Sequence, residues 1–334
     1  MRNAGQDNNK VVVITGATAG VGRATARLFA EHGASIGILA RDPARLAETK
    51  RDIEDRGGKA LCFSLDVVDA QKVEEAARQI EAHFGPIDIW INNAMVTVVS
   101  EVKDMSAEEF KRVTEVCYLG FVNGTRAALK SMWTRNKGKI VFVGSALAYR
   151  AIPLQSAYCG AKHAIQGFSE SLRSEIMHHQ KNISLTMVQM PALNTVQFSW
   201  CKTRMPKRPQ PVPPIYQPEV AARAIYWAAF HDRREVIVGG RNWLIIWLNK
   251  FVPGFGDYYL AKTGYASQQT NQLVDADRKD NLWQAVPGPF AARGNFNTQA
   301  KTYSKELWLV THPAALWTSL GLLIIIIVTA SSHF

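Results

Sequence analysis

Residues 10–29, KVVVITGATAGVGRATARLF, set an apolar run, a turn with three glycines and a helical run in immediate succession. Continuous apolar character from Val11 to Ile14 suits a strand buried on both faces. The same alternation continues along the chain. SIGILARD, ALCFSLDV, IDIWINNA, GKIVFVGSA and ISLTMVQMPA read as further strands. Between them PARLAETKRDIEDRGG, AQKVEEAARQIEAHFGP, 106–135 and 157–180 read as helices. Strands that alternate with helices predict an α/β fold with a doubly wound parallel sheet, helices on both faces. No internal repeat interrupts this reading.

The chain of 334 residues can bury a full core. Its formal charge of +11 suggests anionic partners: a phosphorylated cofactor, an acidic membrane surface or nucleic acid. No nucleic-acid motif accompanies the charge, so nucleic acid is not expected as a partner. Cys62, Cys117, Cys159 and Cys201 are scattered, without a CxxC pair or nearby histidines. That argues against a disulfide framework and a metal site. The first ten residues are polar and lack the apolar core of a secretory signal; 1–9 are expected to be disordered.

Thr15-Gly16-Ala17-Thr18-Ala19-Gly20-Val21-Gly22 follows a strand and opens a helix. Glycines there let the backbone approach a pyrophosphate, and the helix N-terminus offers free N–H groups to it. The second strand ends in Ala40 and Arg41 rather than in an acidic residue. A guanidinium there suits a 2′-phosphate, which favours NADP(H).

With these motifs the sequence resembles a short-chain dehydrogenase/reductase over about 10–240. The T-G-x-x-x-G-x-G pattern at 15–22 is complete. Asp66 and Val67 match the pair placed near adenine, and Asn92, Asn93 and Ala94 match the N-N-A-G stretch. Ser145, Tyr158 and Lys162 match the catalytic serine and the Y-x-x-x-K motif. Pro191 and Thr195 resemble the P-G-x-x-T segment beside the nicotinamide. The resemblance implies a Rossmann-type fold, a homo-oligomer and hydride transfer between a nicotinamide and a carbonyl/alcohol pair. It also implies that the cofactor is held by Thr15, Gly16, Thr18, Ala19, Gly20, Val21, Gly22, Arg41, Asp66, Val67, Asn93, Ala94, Tyr158, Lys162, Pro191 and Thr195.

Three residues depart from the family pattern: Met95 and Ala192 replace glycines, and Cys117 stands in the place of the catalytic asparagine. Cys117 keeps the main-chain carbonyl of the proton relay but is expected to lose the side-chain prop, altering the relay. It is also the main support for the competing reading, a catalytically impaired cofactor-binding scaffold or redox sensor.

Tyr158 and Lys162 lie four apart on one face of a helix. The ammonium and the cofactor's positive ring are expected to make the phenol acidic enough for general acid/base work. Ser145 orients the substrate oxygen, and Lys162 also holds the nicotinamide ribose. Asn194 and Gln189 are read either as ligand contacts or as loop caps. A lipophilic substrate is expected from Met95, Val96, Leu147, Tyr149, Leu154, Ala192 and 196–205, including Phe198, Trp200 and Met205.

After residue 192 the pattern changes. CKTRMPKRPQPVPPIYQPEV carries six prolines and four basic residues, which excludes a central strand or regular helix. A helix at 218–231 and the strand REVIVGG complete a catalytic domain at 10–240. The segment 241–260, flanked by Arg241 and Lys250, is an apolar, Trp-rich stretch that dips into a membrane, covers the pocket, or packs on the core or a dimer interface. Residues 261–306 read as a polar arm or linker. The segment 307–330 is expected to span a membrane or lie in its interface, with packing against protein as the remaining possibility. Its run 314–330, AALWTSLGLLIIIIVTA, is uncharged, with Trp308 and Trp317 at the interface and Lys301 and Lys305 on the linker side. Membrane lipid is thus expected as a partner, with the catalytic domain facing the cytoplasm.

Overall fold

A computed structural model describes residues 9–288 and 291–312. Seven parallel strands form one sheet: β1 (Val11–Thr15), β2 (Ser35–Ala40), β3 (Lys59–Ser64), β4 (Ile89–Asn92), β5 (Gly138–Ser145), β6 (Ile183–Met190) and β7 (Glu235–Ile237). Their order is β7-β6-β5-β4-β1-β2-β3. The order reverses beside β1 and β4, and the crevice at the carboxyl ends of these strands is where such sheets bind ligands.

The helices form locally for identifiable reasons. Helix α1 (Gly20–Glu31) opens straight from the glycine turn. Helix α2 (Pro43–Glu54) has Pro43 in its first turn and Asp42 as N-cap, the carboxylate accepting from the Ala44 and Arg45 amides. Asp69 caps α3 (Ala70–Phe84). A capping box of Ser106 and Glu109 starts α4 (Ala107–Thr114). The predicted helix at 106–135 is broken by a π-helical turn at Glu115–Leu119 before α5 (Gly120–Arg135) begins. Helix α6 (Ser156–His178) follows β5, and α7 (Pro218–Phe230) precedes β7.

Two apolar layers sandwich the sheet. On one side Val12, Ile14 and Ile36 pack with Phe29 of α1 and Val220, Ile225 and Ala229 of α7. On the other, Val13, Trp90 and Phe142 pack with Ile80 of α3, Phe121 of α5 and Ile165 of α6. Every residue of β1 is buried, as a central strand requires.

Beyond the sheet the chain departs from the expected segmentation. Helices α8 (Gly240–Phe251) and α9 (Pro253–Ser267) form a hairpin, so helix continues seven residues past 260 into the predicted arm. The arm then adds a short strand, Gln269–Leu273, to Lys207–Pro209 of the proline-rich segment. Helix α10 (Lys305–Thr311) is only seven residues long. No helix among the described residues is long and apolar enough to cross a membrane. The uncharged run 314–330, and with it most of the predicted membrane segment, lies outside the described residues, as does all but Asn9 of the expected disordered N-terminus.

Candidate active site

One cleft of about 730 Å³ runs along the carboxyl ends of the strands. Gly16, Thr18, Ala19, Gly20, Val21, Arg41, Asp66, Val67, Asn93, Ala94, Ser145, Tyr158, Lys162, Pro191 and Thr195 all border it. Two expected cofactor residues, Thr15 and Gly22, do not. The Thr15 hydroxyl accepts from the Asn93 and Ala94 amides, and the Asn93 side chain donates to the Thr15 and Gly16 carbonyls. These bonds staple the glycine turn to the end of β4. A Cβ on Gly22 would lie 2.3 Å from the Gly16 carbonyl oxygen, and one on Gly16 would lie 2.8 Å from Ala94 Cα. Gly16 and Gly20 also hold φ of +68° and +54°, a region that favours glycine. The turn therefore has no room for a side chain at Gly16 or Gly22, and it brings the start of α1 to the edge of the cleft. That is the construction a dinucleotide phosphate needs.

Strand β5 delivers Ser145 at its last position, and the first turns of α6 deliver Tyr158 and Lys162. The Ser145 hydroxyl accepts from the Leu147 amide at 3.2 Å and lies close enough to the Tyr158 phenol to lower its pKa. Lys162 is 2% exposed. Its ammonium donates to the Val143 carbonyl at 2.8 Å and stands 4.7 Å from the Phe121 ring centroid and 5.4 Å from that of Tyr158. No carboxylate pairs with it among the described residues. Burial pulls its pKa down to about 8.

Burial raises the Tyr158 pKa, with the nearby Cys117 thiol adding to the rise and the Ser145 hydroxyl opposing it. The Lys162 ammonium, 5.4 Å from the ring centroid, does not offset this rise.

Cys117 sits in the π-helical turn and is fully buried. Its thiol donates to the Val96 carbonyl at 3.1 Å and accepts from the Val96 amide at 3.4 Å. The side chain thus ties the π-helical turn to Val96. Burial also raises the thiol pKa, which disfavours a reactive thiolate there.

Other expected residues separate into neighbours of the cleft and structural supports. Met95, Val96, Leu147, Ala192, Phe198 and Trp200 border the cleft, whereas Tyr149, Leu154 and Met205 do not. The Tyr149 hydroxyl donates to Glu235 at 2.6 Å. Leu154 and Met205 pack with Val99 and Cys201. Trp200 lies under the Arg45 guanidinium, 4.5 Å from its ring centroid, at the Arg41 end rather than beside Tyr158. Gln189 donates to Glu235 and Gln166, and Asn194 to Gln217 and Asn297, so both are caps. Asp66 is already paired with Arg112. The sequence reading left open whether 241–260 covers the pocket. Ile245, Leu248, Val252, Phe255 and Tyr259 of the α8–α9 hairpin do border it. Arg150 clamps the hairpin through Asn249 at 3.0 Å and Asp257 at 2.7 Å.

The chain matches the family model described as short chain dehydrogenase over residues 10–202. The chain belongs to the short-chain dehydrogenase family. Family members use NAD or NADP, and this dehydrogenase is an oxidoreductase of that nicotinamide-dependent type. It is 32% identical to an uncharacterized oxidoreductase, YxnA, of Bacillus subtilis over 282 residues, 84% of this chain and 79% of that one. It is 32% identical to a 3-dehydrosphinganine reductase of Danio rerio over 197 residues, 58% of this chain and 59% of the relative. A dehydrogenase/reductase SDR family member 7B of Mus musculus is 34% identical over 191 residues, 56% of this chain and 58% of the relative.

Proposed function

We propose that this dehydrogenase uses NADP(H) and acts on a hydrophobic carbonyl/alcohol pair, with Tyr158 as its proton donor and acceptor. The observation that carries the reading is the unpaired, buried Lys162 ammonium beside a phenol that faces the same cleft as the glycine turn. Burying an uncompensated charge costs stability, so its place beside Tyr158 supports a chemical role.

Bound NADP(H) supplies the hydride donor or acceptor. The glycine turn would hold its phosphates, Arg41 its 2′-phosphate, and Lys162 and Thr195 its nicotinamide end. Ser145, close to the Tyr158 phenol, orients the substrate oxygen. The Tyr158 O–H gives its proton to that oxygen in reduction and takes one back in oxidation. Burial holds the phenol proton in place at neutral pH, so the group is available as a proton donor. A relative named as a 3-dehydrosphinganine reductase supports the reductive direction.

The test is NADPH consumption with a panel of lipophilic ketones and aldehydes, alongside thermal shifts with NADPH and NADH. NADPH is expected to stabilise more and to be consumed; binding without turnover on every carbonyl would overturn the enzymatic reading. Arg41→Ser is expected to weaken NADPH binding by about 10- to 100-fold, the range of a hydrogen bond to a charged group, with NADH little changed. Titrations of both cofactors check this.

Association with a membrane surface, on its cytoplasmic side, belongs to the same reading. Trp243, Trp247, Phe251, Phe255 and Tyr258 of the α8–α9 hairpin are exposed, beside Arg241, Lys250 and Lys262. The chain continues past α10 into the uncharged run 314–330. An aromatic face flanked by cations suits an acidic lipid surface, and the cleft opens beside it. Trp247→Ser/Phe255→Ser is expected to reduce binding of the full chain to anionic vesicles in flotation; unchanged flotation would remove the hairpin from the contact.

A further inference from the structure

The arm beyond α9 lies outside the family match at 10–202, yet it follows the cleft from end to end. At the β2 end, the Arg41 guanidinium donates to the carbonyls of Asn281 at 2.7 Å, Trp283 at 3.1 Å and Leu282 at 3.4 Å. The Leu282 carbonyl also accepts from Arg112 Nε at 3.0 Å, and Arg45 donates to the Val286 carbonyl. The Leu282 side chain is fully buried with Val67, Val113 and Val116. Midway, the Gly20 amide at the start of α1 donates to the Ala291 carbonyl at 3.2 Å. At the other end Gly294 lies so close that a Cβ would be 2.5 Å from the Thr195 carbonyl oxygen. The Asn194 carbonyl accepts from the Gly294 amide at 3.1 Å, and the buried Asn194 side chain binds the Phe296 amide at 3.0 Å and Asn297 at 2.9 Å.

We propose that the runs 281–288 and 291–297 are the outer wall of the dinucleotide site, that Asn281–Trp283 position Arg41 for a 2′-phosphate, and that the arm closes on the bound cofactor. The proposal rests on the NADP(H) reading above. Two observations favour a wall over incidental packing. First, Arg41 has no ion-pair partner among the described residues. Neutral carbonyls fix its fork geometry without cancelling its charge, so the charge stays available to an anion. Second, Asn281 borders the cleft and its side-chain oxygen is buried without a hydrogen-bond partner. A buried acceptor left unpaired carries a cost that a donor on the adenosine, an amino group or a ribose hydroxyl, would relieve.

The experiment combines hydrogen exchange of the full chain with and without NADPH and stopped-flow displacement of NADPH from wild type, Leu282→Ala and Gly294→Val. NADPH is expected to slow exchange in 281–288 and 291–297. Leu282→Ala removes the arm's buried anchor and Gly294→Val forces the far end off Thr195. Each is expected to speed NADPH release by about tenfold, equivalent to 1.4 kcal/mol, and Leu282→Ala to narrow the preference for NADPH over NADH. Wild type that binds NADPH while its arm exchanges unchanged, or variants that bind NADPH more tightly because the arm merely blocks the cleft, would overturn the wall alone. Wild type with no affinity for either nucleotide would overturn the wall together with the cofactor reading.

Discussion

Tyr158→Phe is expected to lower kcat for carbonyl reduction by about 10²- to 10⁴-fold, the usual contribution of a positioned acid or base, while NADPH affinity and melting temperature stay close to wild type. The substitution removes one oxygen from a half-buried side chain and keeps the ring that packs beside Val116 and Ala161. It also strips the Ser145 hydroxyl of its phenol neighbour. The loss therefore falls on the chemical step, not on the cradle, because the glycine turn and Arg41 are untouched. Single-turnover reduction with saturating NADPH separates the two effects. An undiminished rate would remove Tyr158 from the proton path and with it the mechanism proposed here.

The parts of this site that were legible in the sequence are those carried by side-chain identity and spacing. Strand, glycine turn and helix follow from KVVVITGATAGVGRATARLF, and Ser145, Tyr158 and Lys162 meet because a strand end abuts the first turns of α6. Burial is not written in spacing, so the desolvation that raises the Tyr158 phenol was not legible from the i, i+4 pair. Thr15 and Gly22 carry the motif but act by building the turn, a distinction that only backbone proximity reveals. The arm was read from its polar, aperiodic sequence, but its path along the cleft was not, for a different reason. It holds Arg41 and Gly20 through main-chain carbonyls of Asn281, Leu282, Trp283 and Ala291, and carbonyls have no residue signature. Trp200 borders the cleft as expected, but its contact with Arg45 was not legible, because an aromatic residue in the loop after β6 looks the same whether it meets a ligand or an arginine.

Lys162→Met is expected to separate stability from function. A buried ammonium with a single neutral acceptor is held at a cost, which its pKa of about 8 expresses against an unfolded value near 10.4. Methionine has similar length and no charge, so the variant is expected to be more stable at pH 7 by about 2 kcal/mol, at 1.36 kcal/mol per unit less the lost bond to Val143. The sign follows from proton linkage. Below pH 8 both folded and unfolded wild type carry the proton, and folding must bury it in full. Between pH 8 and about 10.4 the folded protein gives it up first, so the penalty shrinks as pH rises. The gap in melting temperature between Lys162→Met and wild type should thus be widest below pH 8 and close towards pH 10. Over the same range wild-type reduction should lose rate as pH climbs through about 8, because Lys162 loses its charge. The variant, with no charge to lose, should be slow by at least about 10²-fold at every pH. Melting curves and kcat profiles on the two proteins test both halves. A variant that melts lower than wild type throughout would mean that the ammonium stabilises the fold, and that its position beside Tyr158 reflects packing instead of chemistry.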